Sequence, residues 1–196
     1  ELWSTGKISN SDYLLLLNHF SGRSFSDLTQ YPVFPWVVSP QLQPRDLSLP
    51  MGQLNKDRAV HFDTTYELSS PKYYYGFHYS IPGIVFWLLM RLPPFTFFQW
   101  DLNAGWDDQQ RLFVSIIDAY QSAAVTLIPE LYSVPEAFLN TSHLDFTGTE
   151  IKENVQLPEW SNHSPYKYID VMKKRLENCE HLNDWIDLVF GYKETG

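Results

Sequence analysis

Residues 18–38 read NHFSGRSFSDLTQYPVFPWVV, and how this stretch is placed decides the fold. Pro32, Pro35, Pro40 and Pro44 forbid helix from Tyr31 onward. The residues among them, Tyr31, Val33, Phe34, Trp36, Val37 and Val38, are too apolar for a solvated loop. Residues 30–38 are therefore expected to form a buried extended segment, and because proline withholds a ladder donor the segment need not belong to a sheet. Its remaining amides and carbonyls still require partners. Asn18, Arg23, Ser24, Asp27 and Gln30 are placed in sequence to supply some of them.

On the N-terminal side, Ser9 and Asp12 have the spacing of a capping pair, with Asn10 a competing cap. Tyr13, Leu14, Leu17 and Phe20 then fall on one helical face, and Gly22 supplies a stop. On the C-terminal side, residues 39–70 are polar and mixed, and irregular structure with short helical or extended pieces is expected there. Residues 72–79, with three consecutive tyrosines and His78, predict an extended segment reaching the core. Ser80 and Pro82 open a helix that is apolar nearly all round from Ile84 to Met90, closed by Pro93 and Pro94. Asp107 is expected to cap a helix with Leu112, Phe113, Ile116, Ile117 and Tyr120 inward. Ser133 and Glu136 read as a capping box opening a short helix to Leu139. Leu157, Pro158 and Trp160 make a further short apolar piece. Ser164–Pro165 opens a helix carrying Tyr168, Ile169, Met172, Leu176 and Cys179, and a last helix carries Leu182, Trp185, Ile186 and Val189. The regular alternation of strand and helix that a parallel sheet demands is absent. The expected fold class is mainly α with irregular extended core segments and little regular β-sheet.

The 196 residues suffice for one sizeable core, so a single domain over 1–196 is expected. With 44% of residues hydrophobic and 19% charged the chain is a folding one. A net charge of −9 argues against broad attraction to nucleic acid or anionic lipid. One cysteine, Cys179, rules out an internal disulfide and a multi-thiolate zinc site, and with no signal-peptide pattern it predicts an intracellular, cytoplasmic setting. The longest apolar run, residues 84–90, is far short of a membrane span. The glycosylation-type triplets at Asn140 and Asn162 are expected to be incidental. The abrupt ends predict a domain cut from something longer.

A search for chemistry returns little. None of the six histidines pairs at the i, i+4 spacing of a helical metal site, and no H-E-x-x-H occurs. There is no G-x-S-x-G and no Gly-rich phosphate loop. No catalytic residue, metal or cofactor is predicted. His78, packed among aromatics, reads as a buried structural histidine; the sharper reading is a hydrolase cleft centred on it, with Ser80 or Asp27 as partners. Lys173, Lys174 and Arg175 read as a solvated helix face, or alternatively as a phospholipid contact. Arg23 and Arg91 each interrupt apolar surroundings, so each is expected to bind a carboxylate or carbonyls, or else to face a partner. Asn18, Arg23, Asp27, His78 and Arg91 are thus the candidate structural-polar or partner-binding residues.

An ordered series of blocks resembles the BEACH domain family. It starts with Ile8-Ser9-Asn10, Tyr13-Leu14, Leu17-Asn18, Gly22-Arg23-Ser24, Asp27-Leu28 and residues 30–36. It continues through Arg45-Asp46-Leu47-Ser48, Pro50-Met51-Gly52, Tyr75-Gly76, His78-Tyr79-Ser80, Arg91-Leu92 and Pro94-Phe95-Thr96. Arg111-Leu112-Phe113, Ser115-Ile116, Leu127-Ile128-Pro129-Glu130, Pro135-Glu136, Asn140, Leu157-Pro158, Trp160 and residues 185–193 complete it. Asn183 stands where the family usually has histidine and Ser11 replaces a usual aromatic. Residues 39–45, 66–73 and 122–127 look shorter than usual, and the resemblance implies a further C-terminal portion of the family's domain beyond Gly196.

The resemblance implies a non-enzymatic scaffold or protein-interaction domain of a large protein in vesicle trafficking and lysosome or endomembrane dynamics. It implies a PH-like domain before this one, packing against it, and WD repeats after it. Other trafficking proteins are implied as partners, with peripheral or indirect membrane association. It carries over no catalytic residue and no cofactor.

Overall fold

Residues 31–38 run extended through the core, and every one of them is buried. The computed structural model describes residues 1–74, 81–105, 112–122, 126–144 and 154–193. Among these, the backbone of the central segment is satisfied without a sheet. Phe34 exchanges both of its backbone hydrogen bonds with Leu127 at 2.8 Å, an isolated antiparallel bridge. The Val37 carbonyl accepts from the Arg45 amide at 3.1 Å where the chain folds back, and Val38 bridges Pro44. Tyr132 donates its hydroxyl to the Pro35 carbonyl and Trp160 its indole N–H to the Pro40 carbonyl, each at 2.7 Å. Isolated bridges and side-chain donors thus replace a ladder, as a proline-interrupted segment requires.

Helices surround this segment. Helix α1 (Asn10–Phe20) starts where the Ser9 hydroxyl accepts from the Asp12 amide, and buries Leu14 and Asn18. It ends where Gly22, at φ +82°, lets its own amide reach the His19 carbonyl and the Arg23 amide reach the Asn18 carbonyl. That paired closure needs a left-handed residue, which is why glycine stands there. Helix α2 (Lys56–Leu68) is capped by Asn55, and helix α3 (Pro82–Leu88) carries proline in its first turn. Helix α4 (Phe95–Asn103) packs on α3, and helix α5 is Ile116–Ser122. Helix α6 (Pro165–Glu177) is capped by the Ser164 hydroxyl and buries Tyr168, Ile169, Met172 and Leu176. Helix α7 (Leu182–Val189) buries Leu182, Trp185 and Val189. Short 3₁₀ turns at Pro129–Tyr132, Pro135–Phe138 and Glu159–Ser161 pack against α6. The architecture is mainly α with no sheet among the described residues.

Several local expectations are corrected. Residues 39–70 contain a full 13-residue helix, α2, which sequence periodicity missed because it has no apolar face and buries no residue completely. Helix α4 was likewise unforeseen: its aromatics do not follow a core-facing spacing. Helix α5 begins at Ile116 under the Ser115 hydroxyl, not at Asp107, which lies outside the described residues. Leu112 and Phe113 are buried but precede the helix, and the neighbouring Val114 carbonyl accepts from Gln156. Residues 135–138 form a 3₁₀ turn without a capping box, because the Ser133 hydroxyl turns back to the Pro129 carbonyl. Phe20 is 81% exposed despite its place on the expected inner face, and Gln30 is exposed as well. Tyr73 and Tyr74 are exposed, while residues 75–80 lie outside the described residues. Cys179 falls past the end of α6.

Candidate functional site

The polar residues around the central segment are mostly spent on backbone. Asn18, 1% exposed, is held on the inner face of α1 by the stop at Gly22. Its side-chain oxygen accepts from the Val33 amide at 2.8 Å, while its nitrogen donates to the Val33 carbonyl at 3.0 Å and the Leu14 carbonyl at 2.8 Å. One amide side chain therefore does for Val33 what a neighbouring strand would do. Arg23 donates to the Tyr31 carbonyl at 3.0 Å. Asp27 is exposed and builds the intervening turn, accepting the amide and hydroxyl of Thr29. Those two bonds, the hydroxyl first, hold its carboxyl below the usual carboxylate range.

Of the five candidates, the four among the described residues do not all serve one place. Asn18, Arg23 and Asp27 serve the same stretch of chain, residues 18–38. Arg91, at 1% exposure, instead donates to the Phe113 carbonyl at 2.6 Å, and burial pushes its guanidinium down to about 10. His78, and Ser80 with it, lie outside the described residues. On α6, Lys173, Lys174 and Arg175 are exposed, and Lys174 pairs with Asp170 at 2.7 Å. No group of three metal-ligating side chains occurs among the described residues. No helix there is long and apolar enough to cross a membrane.

Three features escaped sequence reasoning. The first is a buried pair: the Tyr31 hydroxyl donates to one oxygen of Glu130, whose other oxygen is buried with no hydrogen-bond partner among the described residues. Burial raises the Glu130 carboxyl above its ordinary range, against the lowering effect of the Tyr31 bond. Both residues stood in quoted blocks, but nothing in their spacing announces a contact across 99 positions. A carboxyl titrating higher in the folded than in the unfolded chain adds stability below the unfolded value and loses it as pH rises through the folded value. Glu130→Gln removes that loss. Thermal melts at pH 5 and pH 8 are expected to show the variant gaining on the parent at the higher pH; a constant difference would contradict the assignment.

The second feature is helix α4, which is inside out. Thr96 and Gln99 are buried, while Phe97 at 64% and Leu102 at 60% face solvent, with Phe98 and Trp100 also exposed. Phe20 and Phe25 form a second exposed apolar pair, flanking the turn at residues 22–30. The third is Arg45, buried at 8% exposure beside Met51.

A profile of the Beige/BEACH domain matches residues 1–196, the whole chain. The chain belongs to the BEACH domain family. BEACH domain-containing protein B of Arabidopsis thaliana is 39% identical over 222 aligned positions, covering 99% of this chain and 8% of that protein. BEACH domain-containing protein lvsD of Dictyostelium discoideum is 38% identical over 220 positions, covering 99% of this chain and 7% of that protein. Beige protein homolog 1 of Saccharomyces cerevisiae is 38% identical over 227 positions, covering 99% of this chain and 10% of that protein. This BEACH domain thus spans a tenth or less of each of these relatives. The alignments are longer than its 196 residues, so each relative carries residues that this BEACH chain lacks.

Proposed function

We propose that this BEACH domain is a non-enzymatic interaction module of a large cytoplasmic protein in vesicle trafficking and endomembrane or lysosome dynamics. It works beside a PH-like domain that precedes it and WD repeats that follow it, and reaches membranes peripherally through those neighbours and other trafficking proteins. The observation that carries the reading is the family match along the whole chain. The exposed apolar faces supply a surface of the needed kind, since a folded domain with large aromatics in water has something to gain by covering them. The polar candidates support it differently. Asn18, Arg23 and Arg91 each bind backbone carbonyls of the core.

Co-expression with the preceding domain tests this. A one-to-one complex is expected by size-exclusion chromatography with light scattering, and either Phe20→Asp with Phe25→Asp or Phe97→Asp with Leu102→Asp should weaken it at least tenfold. No association of the parent pair would sink the proposal.

A further inference from the structure

Residues 81–105, helices α3 and α4 with the turn between them, carry two charged residues in a chain that is 19% charged. One of them, Arg91, is buried and donates to the Phe113 carbonyl. The other is Asp101, exposed in the last turn of α4. With Thr96 and Gln99 turned inward, the opposite side of α4 presents Phe97, Phe98 and Leu102, with Trp100 at its edge, each 43–64% exposed. Two of these side chains rest on α3. The Phe98 ring lies 5.2 Å from that of Phe86, and the Leu102 Cδ2 lies 3.7 Å from where a Cβ on Gly83 would stand. Asp101 is one helical turn from both Phe97 and Phe98, so its carboxylate stands among the apolar groups. No cation among the described residues pairs with it, α4 has no basic residue in its last turn, and the negative end of the helix dipole lies there as well. The outer side of α4 is thus an apolar ridge with one unneutralised negative charge set in it.

Area and charge decide what can cover this ridge. At about 150–250 Å² for a large side chain, the four exposed fractions come to roughly 400 Å², against about 800 Å² per partner in a stable protein interface. A second copy of the chain would also bring net charge −9 against net charge −9. A bilayer sets no such minimum, since each apolar side chain that leaves water contributes by itself. The charge then selects the lipid. An anionic headgroup is repelled by Asp101 and by the chain as a whole, whereas the quaternary ammonium of phosphatidylcholine is attracted by a carboxylate and by aromatic faces. We propose that α4 is a direct, shallow membrane contact for phosphatidylcholine surfaces: Phe97, Phe98, Trp100 and Leu102 enter the boundary between headgroups and acyl chains, and Asp101 takes a choline ammonium beside them. With nine residues, α4 lies in that boundary and does not cross the bilayer. The contact adds to the indirect ones of the interaction module and does not rest on them, the face at Phe20 and Phe25 being left to the preceding domain.

The test is flotation of the 196-residue chain with vesicles of phosphatidylcholine, and in a second arm with vesicles of phosphatidylglycerol. The parent should float with the first and at least tenfold less with the second. Phe97→Asp with Leu102→Asp should lower binding to phosphatidylcholine at least tenfold, and Asp101→Asn, which keeps the shape and removes the charge, should lower it several-fold. All three positions are exposed, and melting curves that match the parent's will show the fold intact. In parallel, phosphatidylcholine brominated on its acyl chains should quench tryptophan emission of the parent, and the conservative Trp100→Phe should remove most of that quenching. Equal or stronger binding to phosphatidylglycerol, or undiminished binding by Asp101→Asn, would overturn the choline assignment. Undiminished binding by the Phe97→Asp, Leu102→Asp variant, or quenching that survives Trp100→Phe, would overturn the membrane contact itself. If that double variant loses the complex with the preceding domain and keeps its vesicle binding, α4 is a protein face: the interaction module stands and this proposal falls.

Discussion

Replacing Trp36 by alanine is expected to cost about 3–5 kcal/mol of stability, the range for removing a fully buried tryptophan. Trp36 is 3% exposed, sits edge-on to Tyr120 at a centroid distance of 5.2 Å, and neighbours Trp160, Tyr168 and Met172 around one cleft. Its removal leaves a void that α5, α6 and the extended segment cannot close together, because each is fixed by other contacts. In a chain of this size about 1 kcal/mol moves the melting midpoint by roughly 2–4 °C, so a drop on the order of 6–20 °C is expected. Trp36→Phe, which retains a ring against Tyr120, should cost clearly less. A near-neutral alanine variant in both heat and denaturant would mean that residues 31–38 are not core.

Asn18→Leu is the second large effect, and it works through hydrogen bonds, not volume. The leucine is of similar size and more apolar, so a packing argument alone predicts a neutral or favourable change. The side chain of Asn18, however, holds both the amide and the carbonyl of buried Val33. Each group left without a partner costs about 1–3 kcal/mol, for a total of about 2–6 kcal/mol. The measurement that separates this from general destabilisation is hydrogen exchange: the Val33 amide should lose more protection than its neighbours on α1. Unchanged protection at Val33 together with an unchanged melt would show that the bridge contributes nothing.

The extended core was legible because proline and apolar residues make contradictory demands that only a buried, ladder-free segment meets. Residues 31–38 pose that contradiction openly. The capped helices α1 and α6 were legible from Ser9 and Ser164 for the same local reason. Helices α2 and α4 were not, since α2 packs no continuous apolar stripe and α4 turns Phe97, Phe98 and Trp100 outward. Periodicity reads helices through the core they face, and these two face it weakly or the wrong way round. Of the polar candidates, Asn18 and Arg23 lie close in sequence to the groups they bind, and that proximity is what brought them forward. Arg45 and Glu130 escaped because their surroundings are assembled from distant parts of the chain.

The same distances bear on how the domain is made. The hydroxyl that holds Pro35 comes from a residue 97 positions later, and the indole that holds Pro40 from one 120 positions later. At about 5–20 residues per second on the ribosome, these two partners follow roughly 5–24 s behind the groups they hold. Asn18 precedes Val33 by only 15 positions and is already synthesised. Asn18 and Val33 are thus a pair that needs nothing made later, whereas the closure of the aromatic run at Pro35 and Pro40 is left to the C-terminal half of the chain.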